Sequence, residues 1–280
     1  FFLNPIGSGR GSPRSGSSKL GGKISEDQRM QKGNSHTIWE LPPDLLKLQS
    51  DQVDVWRISL DLTAASVKLL ESSLSADEAG RAARFHFPAD RNRYIVAHGC
   101  LRDILARYLN CQPARLVFST NDYGKPALQG YELEFNLSHS GDFALVAITQ
   151  ARRIGIDVER IRSDMEHESI ARRFFSQNEA LEWMTLPPEQ RPIAFFNCWT
   201  RKEAYIKAQG LGLSLPLESF DVSLDPDGPA LLRATRPDPE EAARWRLLSL
   251  EVDPCYAAAV AVERNGLEFR LWDWSRVCHV

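Results

Sequence analysis

FNLSHSGDFALVAITQARRIGIDVE, residues Phe135 to Glu159, changes its hydrophobic pattern twice within one short stretch. From Phe143 to Thr149 the letters FALVAIT form a nearly continuous apolar run, the pattern of a buried strand. Gln150 to Arg153 then carries a turn. From Ile154 to Glu159 the alternation is strict, with Ile154, Ile156 and Val158 on one face and Gly155, Asp157 and Glu159 on the other. Two carboxylates therefore stand side by side on one strand face, with a glycine clearing space beside them. Upstream, Asn136, Ser138, His139 and Ser140 crowd a loop with hydrogen-bonding groups. The stretch reads as loop, strand, turn and strand. Its acids face either a site or, as in any plain hairpin, water.

A chain of 280 residues has room for one large domain or two small ones with a sizeable core. Its hydrophobic fraction of 43% and charged fraction of 25% are those of an ordinary globular protein. A formal net charge of -3 gives no reason to expect non-specific binding to nucleic acid or to an anionic membrane. The five cysteines, Cys100, Cys111, Cys198, Cys255 and Cys278, are scattered, odd in number and free of any CxxC pair. That pattern points to free thiols in a reducing compartment rather than a disulfide frame or a zinc site. The apolar run Ala257 to Val262 is far too short to span a bilayer, and Phe1 to Leu3 is no signal-peptide core. The expected location is the cytoplasm.

Residues 1–37 are rich in Gly, Ser, Lys and Arg without apolar periodicity, so they read as a disordered arm or an appended segment. Organised sequence begins near Ile38, and VDVWRISL (Val53 to Leu60) predicts a strand. Ser75-Ala76-Asp77-Glu78 is a capping-box pattern opening a short helix, and Asp90 to Leu109 predicts a longer one. Val117-Phe118 is a brief strand before the turn NDYGKP. Beyond Glu159 the pattern predicts helices over Ile170 to Phe175, Gln177 to Met184 and Ile193 to Gln209, the last stopped by Gly210 and Gly212. A strand at Phe220 to Leu224 follows, and then a closing hairpin, Arg244 to Val252 with Tyr256 to Glu263. The expected fold class is α+β, an N-terminal half over 38–151 and a C-terminal half over 152–264, with a tail at 265–280.

The helix containing NCWTRKEAYIKAQG sets Phe196, Trp199, Glu203, Ile206 and Lys207 at helical spacing on one side. A carboxylate on an apolar face is costly unless it is paired or holds a metal. The plain alternative is that Glu203 and Lys207 form an i,i+4 surface ion pair worth about 0.3–0.5 kcal/mol. Taken together, Asp157, Glu159 and Glu203 would make an oxygen-only set of the kind that suits Mg²⁺. Arg81, Arg84, Arg93, Lys125, His139 and Lys207 supply cations for a phosphate site. The sequence contains no GxxxxGK[ST], no GxGxxG before a helix and no HExxH.

YGKP at Tyr123 to Pro126, FNLSHS at Phe135 to Ser140, GIDVE at Gly155 to Glu159 and WTRKEAYIK at Trp199 to Lys207 closely resemble the ordered motifs of Sfp-type 4'-phosphopantetheinyl transferases. RFHF, RRFFS, GLGLSLPL and VDPCYAAAVA fit as well, so the resemblance covers about Val53 to Val262. The N-terminal segments WELPPDLL and DVWRISLDL look most like cyanobacterial members.

The resemblance implies two similar α+β halves in a pseudo-twofold arrangement, with the active site in the cleft between them. It makes Asp157, Glu159 and Glu203 the Mg²⁺-binding acids, and Lys207 the lysine beside the pyrophosphate of coenzyme A. It gives Arg81 a contact to the 3'-phosphate and Arg93 a matching basic position on the next helix. Tyr123, Gly124, Lys125 and Pro126, with Asn136, Ser138 and His139, match segments that hold the adenine-nucleotide end, Lys125 and His139 facing phosphate. One position departs: where the family often has a lysine, three residues before Arg81, this chain has Glu78.

The implied reaction is transfer of the phosphopantetheine arm from coenzyme A to a serine of an apo acyl or peptidyl carrier protein, releasing adenosine 3',5'-bisphosphate. Glu203 or a water on the metal would take the serine proton. A monomer, without nucleic acid or membrane as partner, is expected. The rivals are a Mg²⁺-dependent hydrolase of nucleotide pyrophosphates and a non-catalytic module that binds coenzyme A or carrier protein.

Overall fold

The computed structural model describes residues 38–264 and 266–274. The expected arm at 1–37 and the end of the expected tail, 275–280, lie outside the described residues.

The chain opens with strand β1 (Gln52–Ser59), buried on both faces. Helix α1 (Ala64–Glu71) starts from Thr63, whose side chain accepts the Ser66 amide. Helix α2 (Ala76–Ala82) begins at the capping box expected from Ser75 and Glu78. Helix α3 (Pro88–Leu109) has proline in its first turn and ends at Asn110 in the left-handed region. Short strands β2 (Phe118–Thr120) and β3 (Pro126–Leu128) form a hairpin around the NDYGKP turn. Strands β4 (Leu133–Ser140) and β5 (Phe143–Gln150) pair antiparallel, and β6 (Ile154–Arg160) follows.

Helices α4 (His167–Phe174), α5 (Gln177–Thr185) and α6 (Arg191–Gln209) come next, α6 closing on Gly210 in the left-handed region. The chain finishes with the pair β7 (Phe220–Val222) and β8 (Leu232–Thr235), then β9 (Trp245–Ser249), β10 (Tyr256–Glu263) and β11 (Glu268–Asp273).

Two sheets dominate, one in the order β11-β1-β5-β4 and one in the order β6-β10-β9. The even-numbered residues Trp56, Ile58, Ala144, Val146 and Ile148 pack against α3 in one core. The opposite faces of β1 and β5, with Val53, Val55, Leu145 and Ala147, meet Ile154, Ile156 and Val158 of β6 in a second core. Helix α6 lies across the far side of β6 and β10. The layers therefore run helix, sheet, sheet, helix, an α+β fold with two lobes. Among the described residues no helix is long and apolar enough to cross a membrane.

Three expectations need correction. The expected hairpin of β5 with β6 is absent, because the two strands belong to different sheets and the chain crosses between them at Ala151, φ +49. FALVAIT is apolar on both faces because α3 covers one and the second sheet covers the other. The true hairpin partner of β5 is β4, whose NLSHS was expected as a loop. It is a strand with Phe135 in the core and Asn136, Ser138 and Ser140 turned toward β6. Within the expected tail, finally, Glu268–Asp273 form β11, which pairs parallel with β1 while Trp272 and Trp274 enter the first core.

Candidate active site

Edge strands β4 and β6 run beside each other without a backbone ladder, joined by side chains from alternate residues of β4. Asn136 Oδ1 accepts the Ile156 amide at 2.8 Å. Ser138 Oγ donates to Asp157 Oδ1 at 2.9 Å, and Ser140 Oγ donates to Glu159 Oε2 at 2.8 Å. Two lysines satisfy carbonyls on the same edge of β6. Lys125 Nζ donates to Ile154 O at 3.0 Å and to Ala208 O at 3.1 Å. Lys207 Nζ donates to Ile156 O at 3.3 Å, to Ser138 Oγ at 3.0 Å and to Asp157 Oδ1 at 2.5 Å.

Helix α6 reaches this seam because Gly155 has no side chain. A Cβ there would collide with Ala204 O and Ala208 N, so the space that glycine clears is filled by helix backbone. That contact brings Glu203 and Lys207 over Asp157. Glu203 is 4% exposed, which rules out the surface ion pair, and the amine of Lys207 bonds Asp157 instead. Asp157 Oδ2 and Glu203 Oε1 are both buried without a hydrogen-bond partner.

The electrostatics follow. Burial and the Asp157 charge push both Glu159 and Glu203 up to about 7. Burial would lower Lys207, but Asp157, Glu203 and Glu159 together raise it. Among the described residues no three His, Cys, Asp or Glu side chains form a ready-made metal cage. Mg²⁺ does not need one, since it takes one or two carboxylates and fills its shell with water and substrate phosphate. Two unpartnered buried carboxylate oxygens, in a cluster whose acids repel one another, are donors that fit this ion.

The outer residues are more dispersed. Asn121 holds the turn Tyr123 to Pro126 by accepting the Tyr123 and Lys125 amides on Oδ1, and donates from Nδ2 to Gly210 O at 2.8 Å. Tyr123 is thereby displayed, 47% exposed, beside the end of α6, with Gly124 next to it at φ +83 and Pro126 opening β3. His139 is exposed at the end of β4, on the face opposite Ser138. Arg93 bonds Asp142 Oδ1 at 2.9 Å, and Arg81 is exposed on α2.

Glu78 has a structural occupation. It caps α2 and pairs with Arg102 at 2.7 Å. Burial opposes its charge, but His98, the Ser75 amide and Arg102 hold it down to about 2. Sequence reasoning missed Asn121 and the role of Ser140, whose only signals were an Asn before a glycine turn and the period-2 spacing from Ser138.

Comparison with known proteins gives the family. The model of the 4'-phosphopantetheinyl transferase superfamily matches residues 153–261, and that of a 4'-phosphopantetheinyl transferase N-terminal region matches 61–151. The two matches meet at the crossing from β5 to β6. The 4'-phosphopantetheinyl transferase HetI of Nostoc sp. is 41% identical over 243 residues, 85% of this chain and 99% of HetI. A 4'-phosphopantetheinyl transferase of Bacillus subtilis is 31% identical over 76% of this chain and 94% of its own length. Sfp of the same species is 32% identical over 68% and 82%. The chain belongs to the 4'-phosphopantetheinyl transferase family.

Proposed function

We propose that this enzyme, which transfers 4'-phosphopantetheine from coenzyme A to a carrier protein, does so at the seam between β4 and β6. The observation that carries the reading is the pair of buried, unpartnered oxygens, Asp157 Oδ2 and Glu203 Oε1, beside the cationic Lys207. The acceptor serine of an apo acyl or peptidyl carrier protein attacks the phosphorus that carries pantetheine. Its oxygen forms the new P–O bond, and the bond to adenosine 3',5'-bisphosphate breaks. Glu203 takes the serine proton, which its raised pKa suits. Lys207 sets positive charge beside the pyrophosphate, and the Asp157 carboxylate keeps its amine protonated.

Asp157, Glu159 and Glu203 would hold Mg²⁺, which would supply neutralisation of the pyrophosphate charge. Arg81, Arg93, Tyr123, Gly124, Pro126, Asn136, Ser138 and His139 complete the proposed binding surface. Asn136 and Ser138 act by bracing β6, and His139 and Tyr123 by their exposure. Lys125 contributes its charge from the edge of β6 rather than by a direct bond, since its amine bonds two carbonyls. The reading is of a cytoplasmic monomer without nucleic acid or membrane partners. The free thiols of Cys100, Cys111, Cys198 and Cys255 support a reducing compartment.

The test is incubation with coenzyme A, Mg²⁺ and a panel of apo carrier proteins, followed by intact mass. The expected result is a gain of one phosphopantetheine on carrier protein, dependent on Mg²⁺ and abolished in Asp157→Ala. Free phosphopantetheine with no gain on any carrier would overturn it in favour of hydrolysis.

A further inference from the structure

Ser140 lies at the mouth of the seam, and its single hydroxyl is bonded in both directions. The Arg160 amide donates to Ser140 Oγ at 3.2 Å, which leaves the hydroxyl proton to point at Glu159 Oε2, 2.8 Å away. A serine oxygen held by a backbone donor and facing a carboxylate has its rotor fixed.

The turn after Ser140 is fastened from three sides. Tyr256 of β10 accepts the Asp142 amide on its hydroxyl at 3.0 Å, the Leu60 amide donates to Asp142 O at 2.8 Å, and Arg93 of α3 bonds Asp142 Oδ1 at 2.9 Å. Gly141 sits at φ +57 against Tyr256, and a Cβ there would strike the phenol oxygen. Tyr256 is itself held edge-on to Phe143, with ring centroids 5.1 Å apart. Elements of both lobes therefore fix where the Ser140 hydroxyl stands relative to β6.

We infer that Ser140 is a positioning residue that orients Glu159 toward the metal, and that the turn pinned by Tyr256 and Arg93 sets its reach. The inference rests on the assignment of Glu159 as a metal-binding acid. Partly exposed at the end of β6, Glu159 has solvent as its alternative, and the hydroxyl turns it inward.

Mn²⁺ binding to the full chain in the presence of coenzyme A, followed by the electron paramagnetic resonance signal of free Mn²⁺, tests it without reference to turnover. Ser140→Ala should weaken Mn²⁺ by roughly 10-fold or more, the range for loss of a group behind a metal ligand. Ser140→Thr, which keeps the hydroxyl, should restore the affinity. In the transfer assay the metal concentration for half-maximal rate should rise in Ser140→Ala while kcat at saturating metal holds. Parent-like Mn²⁺ affinity in Ser140→Ala, or equal weakening in Ser140→Thr, overturns the proposal. Asp157→Ala measured alongside separates the two levels. If it loses Mn²⁺ while Ser140→Ala does not, only the positioning role falls; if it too binds like the parent, the metal assignment falls with it.

Discussion

Glu179 on α5 and Glu203 on α6 are 1% and 4% exposed, and they could hardly be treated more differently. Both oxygens of Glu179 are engaged. Oε2 meets Lys202 Nζ and the Ser176 amide at 2.8 Å, and Oε1 accepts the Val222 amide at 2.7 Å. Lys202 bonds the Leu217 and Phe220 carbonyls as well, each at 2.8 Å, so a fully buried ion pair ties two helices to β7. Glu203 has an oxygen with no partner, and burial with the Asp157 charge pushes it up to about 7. A buried carboxylate costs several kcal/mol unless its lone pairs are met. Glu179 meets that cost with its own neighbours, whereas Glu203 leaves it to something that arrives. One is architecture, the other chemistry.

The sharpest way to break this contrast is to neutralise Glu203. Glu203→Gln should lower single-turnover transfer by ~10²–10⁴-fold, the range for a lost general base, with the fold intact by circular dichroism. Near-parent transfer would remove it from the proton-transfer step. Glu179→Ala should do the reverse, leaving Lys202 buried without its counter-charge. We expect a loss of about 3–5 kcal/mol in urea unfolding, with kcat per folded molecule near the parent's.

The smallest effect concerns pH. With its folded pKa raised from 4.5 to about 7, Glu203 binds a proton in the folded protein that the unfolded chain releases. Its contribution is fully present below about pH 4.5 and is lost as pH rises through about 7. In metal-free protein, Glu203→Gln should therefore gain on the parent between about pH 5 and pH 8, on the order of 2 kcal/mol in urea unfolding. Mg²⁺ with coenzyme A should close the gap. A constant difference across that range would mean that Glu203 is not charge-stressed.

Local pattern carried the reading a certain distance. The alternation of Ile154, Ile156 and Val158 against Asp157 placed the acids on the correct face, because period 2 is a property of the strand alone. The spacing of Trp199, Glu203 and Ile206 likewise placed a carboxylate on a buried helix face. Partnership was not legible. Nothing in FALVAIT says that its neighbours are β1 and β4 rather than β6, since pairing is decided by distant segments. NLSHS looked like a loop because Asn136, Ser138 and Ser140 face the other lobe, where they bond Ile156, Asp157 and Glu159. Ser176 and Glu179 form a capping box, usually a surface device, so their burial beneath Lys202 left no trace in the letters.

Strand β11 carries a consequence for how the molecule is made. It pairs with β1 across a separation of 216 residues, at Gln52 with Glu268, and that pairing covers one edge of β1. During synthesis the first lobe therefore emerges from the ribosome with that edge of β1 bare, and waits for the whole second lobe before its own sheet is complete. Closing so long a loop slows folding, and an uncovered apolar strand is an invitation to wrong partners. The two lobes are thus not two independent folding units in sequence. Among the described residues the last strand is a member of the first sheet, so that sheet is complete only after the second lobe has been made.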